Sequence, residues 1–422
     1  MARLADHPGY RKFWVSDTIS SFGTYLTSVA MPLVATFTLQ VTEAQFGLIT
    51  GTRYAPYLLF GLIAGVFADR HRRRPVLVGM DFGRFVLLSL LTLLIVAGWL
   101  SFWLLIVFVF VFGTMSLLYE AAHQSYLPRL VPVDALPKAN ARLELSSYLA
   151  QTTGPFLAGA IIRLSSVPVA LFTDAVSYLV SGVLLARVKV AEPAPQRTER
   201  HLINELREGL SWVYGHRILA PYAITLHLRF LFASTASVAF TLFVLHGLEP
   251  GLSAAEAGFR LGIVLAIGGV GAVVGNAVST VAGRFGVGRL VMAERTLEPL
   301  GWSVAALAVS GFAGWAMVAV SQFVVWVALG LSGPHTMGYR QAVTPDRLQG
   351  RMNATIRSLN WGMLTIGAPI GGWLVQQTSY RGTLWIAIAG MMLSAIAALA
   401  SPLRHARHPE TSVSSLDDRL SA

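Results

Sequence analysis

The chain contains no cysteine. Disulfides, thiol nucleophiles and cysteine-ligated metals are therefore excluded. Lysine is almost missing, at positions 12, 138 and 189 only, so that 29 of the 32 basic residues are arginine. Charged residues make up 13% of the 422 positions, about half of the roughly 25% usual in soluble domains. With 54% hydrophobic residues and a mean hydropathy of +0.60, too little polar surface exists to cover a water-soluble enzyme. A Gly-x-x-x-x-Gly-Lys-Ser/Thr loop is missing, which argues against coupling to nucleotide hydrolysis. The alternating runs of about ten residues that build a membrane β-barrel are missing too. Met1 to Lys12 is polar and the first apolar run lacks an Ala-x-Ala-like exit, so no cleavable signal peptide is expected.

What the chain does have is apolar runs as long as a bilayer is thick, about 20 residues each. Twelve such windows begin near Phe13, Phe46, Pro75, Ser101, Lys138, Pro168, Arg217, Ala255, Arg289, Trp315, Gly350 and Gly382. The basic residues sort to alternate loops: Arg70, Arg72, Arg73 and Arg74 in one, Arg284 and Arg289 in another, Arg340, Arg347 and Arg351 in a third. The opposite loops hold little beyond Arg163, Arg260 and Arg381. By the positive-inside rule both termini are cytoplasmic. The formal charge of +11 is then a topology signal, and nucleic acid is not expected as a partner.

Residues 1–190 and 217–402 read as two six-span halves. Residues 191–216 read as a linker in which Leu202, Leu206, Leu210 and Val213 recur at helical spacing, as in a helix lying on the inner membrane surface. Residues 403–422 read as a disordered cytoplasmic tail. A shift of 213 positions lays Asn140 on Asn353, Gly154 on Gly367 and Gly159 on Gly372; a shift of 214 lays Gly61 on Gly275 and Arg70 on Arg284. The offset is half the chain length, which indicates duplication. Repeated halves in a membrane protein place a transported substrate between them, near the midplane.

The junction of spans two and three reads Gly65-Val-Phe-Ala-Asp69-Arg70-His-Arg-Arg73-Arg74. It resembles the cytoplasmic signature Gly-x-x-x-Asp-Arg-x-Gly-Arg-Arg of the major facilitator superfamily, with Arg72 where that family commonly has Gly. The resemblance implies a conformational latch of Gly65, Asp69, Arg70, Arg73 and Arg74, in which Asp69 meets the positive N-terminal end of a helix of the other half, such as the one beginning near Gly350. Span five carries Gly154, Pro155, Ala158 and Gly159, similar to the Gly-x-x-x-Gly-Pro-x-x-Gly-Gly motif of the antiporters in that superfamily, with alanine at two glycine positions. Phe13-Trp14, Leu127-Pro128, Glu205-Leu-Arg-Glu-Gly209 and Gly350-Arg351-Met-Asn353 resemble the branch that exports macrolides and siderophores.

Ionisable groups inside spans are costly and are the default functional candidates. Asp17, Asp174 and Glu298 are the candidates for proton coupling. Asp81 and Arg84, spaced i,i+3, suit a local ion pair. Arg229, the deepest charge, calls for Glu298; Arg53 and Asp174 lie at similar depths and are expected to pair; Arg357 lies two turns into span eleven. By analogy with the family, the first helix of each three-helix set lines the cavity, offering Tyr25, Met115, Tyr119, His227, Phe230, Phe323 and Trp326 to a bulky amphipathic molecule.

The expectation is therefore an all-α membrane protein with twelve transmembrane helices in two pseudo-symmetric halves, the major facilitator fold, in a bacterial inner membrane. It is expected to export a small drug-like or natural-product molecule by alternating access as a monomer, needing no cofactor beyond the proton gradient. The alternatives are a proton-coupled uptake carrier for a nutrient, and a non-transporting receptor or enzyme, for which Glu120 with His123 is the only candidate cluster.

Overall fold

The computed structural model describes residues 7–190, 192 and 202–407. Within these residues the chain is helical throughout. The helices are α1 (Pro8–Leu33), α2 (Glu43–Thr52), α3 (Ala55–Arg70), α4 (Arg73–Val96), α5 (Phe102–Tyr126), α6 (Leu136–Leu164), α7 (Val167–Ala186), α8 (Leu202–Gly215), α9 (Leu219–Leu242), α10 (Ala254–Ala282), α11 (Val287–Ala306), α12 (Phe312–Val343), α13 (Asp346–Gln377) and α14 (Tyr380–Ala400). Seven stretches among them are long and apolar enough to cross a membrane by length and composition alone. The helices α1, α6, α11 and α13 are more polar, and the second span is divided between α2 and α3.

That division departs from the single continuous span expected near Phe46. Pro56 follows the break at Arg53 and Tyr54, and a proline has no N–H to bond the carbonyl four residues back. Elsewhere local chemistry sets the boundaries. Thr42 and Gln45 form a reciprocal capping box at the start of α2 (3.0 and 3.2 Å), and Ser101, Ser253 and Ser379 cap α5, α10 and α14. Gly98 (φ +71°) turns α4 into α5 and Gly311 (φ +79°) turns α11 into α12, two left-handed positions 213 residues apart.

The halves pack alike. In the first, α1 packs on α6 and α7, α4 on α5 and α7, and α3 on α5; in the second, α9 packs on α13 and α14, α11 on α12 and α14, and α10 on α12. They join along two seams, α2 and α3 against α13, and α6 against α10. The end of the bundle carrying Arg70, Arg74, Arg347 and Arg351 is termed the basic end, and the other the far end.

Glycine sets how closely the seams approach. A Cβ on Gly47 would lie 2.5 Å from the Ala368 carbonyl, one on Gly51 2.7 Å from that of Thr365, and one on Gly262 2.4 Å from that of Pro155. Toward the basic end, Gly61 and Gly362 meet only the ends of side chains, Ser358 and Leu58. The halves are thus locked backbone to backbone at the far end and bridged by side chains nearer the basic end.

Helix α8 packs against α13 and α9, with Val213 buried and Trp212 donating to Thr344 (3.2 Å). The sequence places the start of a free tail at residue 403. Instead Pro402–His405 form a turn that buries Leu403 against α11, because an apolar side chain there completes the cluster around Val287 and Val291. Residues 191, 193–201 and 408–422, which include much of the expected linker and tail, lie outside the described residues.

Replacing Gly269, whose Cβ would sit 2.6 Å from Thr152 Cα, with leucine overpacks the α6–α10 seam at a cost of about 1–3 kcal/mol. The expected readout is a lower apparent Tm in detergent, with Gly79→Leu, at a site open to 4 Å, leaving Tm unchanged.

Candidate functional site

Charges withdrawn into hydrocarbon have to be met within the protein. In the first half, Asp81 and Arg84 of α4 form the expected local pair, fully buried, and Ser181 of α7 donates to Asp81 (2.6 Å). The Arg84 guanidinium lies between the rings of Tyr119 and Tyr178, 4.2 Å from each, a cation–π sandwich. His123 Nε2 of α5 stands 2.8 Å from Asp17.

Asp174 of α7 does not pair with Arg53. It accepts hydrogen bonds from Thr27 of α1 and from Ser177 (3.1 Å). Gly23 makes this possible, since a Cβ there would collide with both Ser177 and Asp174. The expected pair fails because Arg53 sits at the helix break, its carbonyl against Gly113 of α5, so its side chain leaves from a different angle than a straight span would give. Of the four buried carboxylates, Asp81, Asp174, Glu294 and Glu298, only Asp174 has no cation within 4 Å among the described residues.

In the second half, Arg229 of α9 holds Glu298 of α11 with two parallel hydrogen bonds and lies 3.2 Å from Glu294. Arg295 reaches Glu294 (3.2 Å), Ser332 of α12 donates to the same carboxylate, and Phe230 lies 5.2 Å beneath Arg229. Shifting by 214 positions lays Asp81 on Arg295 and Arg84 on Glu298. The two halves therefore carry the same i,i+3 pair with its signs exchanged. The exchange leaves Glu298 as the residue that reaches out, and Arg229 answers it.

Between the halves, Arg357 of α13 pairs with Glu120 of α5 (3.3 Å) and Trp361 stacks on Tyr57 (4.4 Å). The Glu120 and His123 side chains thus engage different partners, Arg357 and Asp17, and form no joint cluster. A cavity of about 150 Å³ lies among α1, α2, α5 and α9, lined by Thr27, Met31, Thr50, Arg53, Tyr54, Phe112 and Ser237 among others.

None of the seven aromatic and methionine residues expected from the family analogy lines this cavity. Tyr25 packs on Gly154, Met115 on Gly83, Trp326 on Gly268, and Phe323 has its backbone against Gly271. Tyr119 and Phe230 serve the arginines, and His227 is held between Tyr214 and Asn360, 2.7 Å from each. Large side chains on these helices face small residues of neighbouring helices, which spacing along one helix cannot reveal. Of the span-five motif, Pro155 and Gly159 lie on the seam against Gly262, Ala158 is buried, and Gly154 faces Tyr25 within its own half.

At the basic end Arg70 is exposed, and the side chains of Gly65 and Asp69 lie outside the described residues. The backbone N–H groups of Arg73 and Arg74 both donate to the Glu192 carboxylate (2.6 and 2.9 Å), capping α4, while the Arg74 guanidinium donates to the Leu185 and Ala186 carbonyls that end α7. Glu192 belongs to no motif, and its spacing along the sequence gives no sign of this role. Glu205 and Glu208 of α8 hold Arg351 of α13. The three arginines that depart from the charge rule at the far end are each met locally. Arg163 lies 3.6 Å from Glu256 across the seam, Arg260 pairs with Glu249 and Glu256, and Arg381 donates to the Ala308 carbonyl. Hydrogen bonds from Trp315 and Arg260 hold the Glu249 carboxyl below its ordinary range.

Residues 3–420 match the family described as "Transmembrane secretion effector". Macrolide efflux protein A of Streptococcus pyogenes is 21% identical over 369 residues, covering 84% of this chain and 86% of that protein. Its namesake in Enterococcus faecalis is 22% identical over 329 residues, covering 75% and 96%. Among solved structures, the nucleoside transporter NupG superposes with a TM-score of 0.73 at 11% identity, covering 93% of this chain and 98% of that one. A bacterial homolog of the human lysosomal transporter Spinster superposes at 0.70 with 14% identity, covering 95% and 97%. These likenesses show the fold.

Removing Glu298 leaves two buried arginines, Arg229 and Arg295, on the single carboxylate of Glu294, and one uncompensated buried charge costs about 3–5 kcal/mol. Glu298→Ala is therefore expected to lower the apparent Tm sharply. Arg229→Met combined with Glu298→Leu, which leaves Glu294 and Arg295 to neutralise each other, is expected to recover most of the loss in the same melting experiment.

Proposed function

Because the chain belongs to the transmembrane secretion effector family of the major facilitator superfamily, we propose that it exports an amphipathic small molecule across a bacterial cell membrane in exchange for protons. Transport as such comes with the family; direction, coupling and substrate are the proposal. The supporting observation is the asymmetry of the seams. Two halves locked by glycine-to-backbone contacts at the far end and bridged by side chains toward the basic end make a fold that can rock about a central site. With the basic end taken as cytoplasmic, this asymmetry supports a site that opens to the inside, where an exporter loads. One chain supplies both halves of the pathway, so a monomer suffices.

Asp174 is the proton carrier in this reading. Its partners are hydroxyls, which donate to a carboxylate and accept from a carboxylic acid, so both protonation states keep their hydrogen bonds. Asp17 and Glu298 have basic partners and are fitted to hold shape. Asp69, at the end of α3, acts as the latch that releases and re-forms as the basic end opens and closes. Macrolide efflux is what the two relatives are named for, which supports a bulky amphipathic organic substrate.

In proteoliposomes with an imposed pH gradient, a labelled amphipathic organic substrate is expected to move against the direction of proton flow. Asp174→Asn is expected to abolish the response to the gradient while leaving downhill exchange, and Asp69→Asn to lower both at least about tenfold, as loss of a charge-assisted contact would. Substrate and protons moving in the same direction would instead identify an uptake carrier, and transport unaffected by either substitution would remove both residues from the mechanism.

A further inference from the structure

Arg53 is an intramembrane cation without a counter-charge. No carboxylate lies within 4 Å of it among the described residues, and its nearest ring, Tyr54, is 6.0 Å from the guanidinium carbon. The other acids of the region are committed: Glu120 to Arg357, Asp17 to His123, and Asp174 to the hydroxyls of Thr27 and Ser177. Among the described residues, Arg357 thus has a carboxylate partner and Arg53 has none within 4 Å.

The position of Arg53 is imposed from both sides. Pro56 breaks the span immediately after it, and its carbonyl fills the space a Cβ on Gly113 would need. The side chain borders the cavity of about 150 Å³, whose remaining walls are apolar (Met31, Phe112) and hydroxyl-bearing (Thr27, Thr50, Ser237). Every other deep arginine described in this region is met by a carboxylate or an aromatic sandwich; this one is left facing a cavity.

We propose that Arg53 is the anchor for an anionic head group, so that the exported molecule is an amphipathic organic anion with a carboxylate at Arg53 and its apolar body along the Met31 and Phe112 wall. The fork of a guanidinium matches a carboxylate with two parallel hydrogen bonds, and the low-dielectric surroundings strengthen that pair relative to water. Thr27 joins the two sites. Its hydroxyl lines the cavity and also holds Asp174, so occupancy at Arg53 and proton occupancy at Asp174 are one hydrogen bond apart. This inference names the substrate class for the export proposed above and rests on that reading.

Equilibrium dialysis of the full-length protein in detergent tests it, with tritiated phenylbutyrate and its neutral isostere phenylbutyramide as probes. The acid is expected to bind at least about tenfold more tightly than the amide, the difference a charge-assisted pair makes. Arg53→Gln should reduce that ratio to near one while leaving amide binding unchanged, which also shows that the variant is folded, and Arg53→Lys should keep most of the ratio. Equal binding of acid and amide by the unaltered protein, binding of neither, or a ratio that survives Arg53→Gln overturns the assignment. The measurement requires no gradient and no transport. An acid preference in a protein that moves no substrate would sink export and spare Arg53, whereas efflux without acid preference would do the reverse.

Discussion

A charge taken out of water into hydrocarbon has to be met by the protein, and the arrangement of this molecule follows from where those debts are settled. The bilayer excludes the solvent that would otherwise screen Asp81, Arg84, Arg229, Glu294, Arg295 and Glu298, and each is buried against a partner side chain. Helix α4 packs on α7, which supplies Ser181, and α11 packs on α12, which supplies Ser332, while Arg229 reaches Glu298 from α9. Arg53 stands out because no carboxylate among the described residues lies within 4 Å of it.

The duplicated halves show the constraint acting twice with different solutions. The positions of the Asp81–Arg84 pair are held in the second half by Arg295 and Glu298, with signs exchanged, and these pair with Glu294 and Arg229. In the first half the arginine finds two tyrosine faces and the acid finds a serine. In the second the glutamate recruits an arginine from α9, and the leftover Glu294 takes Ser332 and Arg295. Symmetry of the fold is kept while symmetry of the electrostatics is lost. Asp174, in the first half, is left with hydroxyls alone.

Glycine does for the seams what charge does for the half interiors. Water cannot help two helices associate in lipid, so close backbone approach carries the association, and the approach is tightest where Gly47, Gly51, Gly159, Gly262 and Gly269 remove the side chain. Motif reading recognised part of this, since Gly154, Pro155, Ala158 and Gly159 were singled out in span five. The matching face, Gly258, Gly262 and Gly269 on α10, belongs to no motif and is visible only when the two helices lie together.

Length, apolar periodicity and the sorting of arginines were enough to read the number of spans, their starts to within several residues, the two halves and the repeat that relates them, because each is a property of one segment measured against the thickness of a bilayer. Local pairs such as Asp81 with Arg84 were legible for the same reason, being a turn apart on one helix. The partners of Asp174, the packing of Tyr25, Met115 and Trp326 on glycines of neighbouring helices, the capping of α4 by Glu192 and the isolation of Arg53 were not. Each depends on which face of one helix meets which face of another and on a helix break at Pro56 that redirects a side chain. Spacing along a single span carries no information about the rotation of its neighbour, and only the tertiary structure decides that.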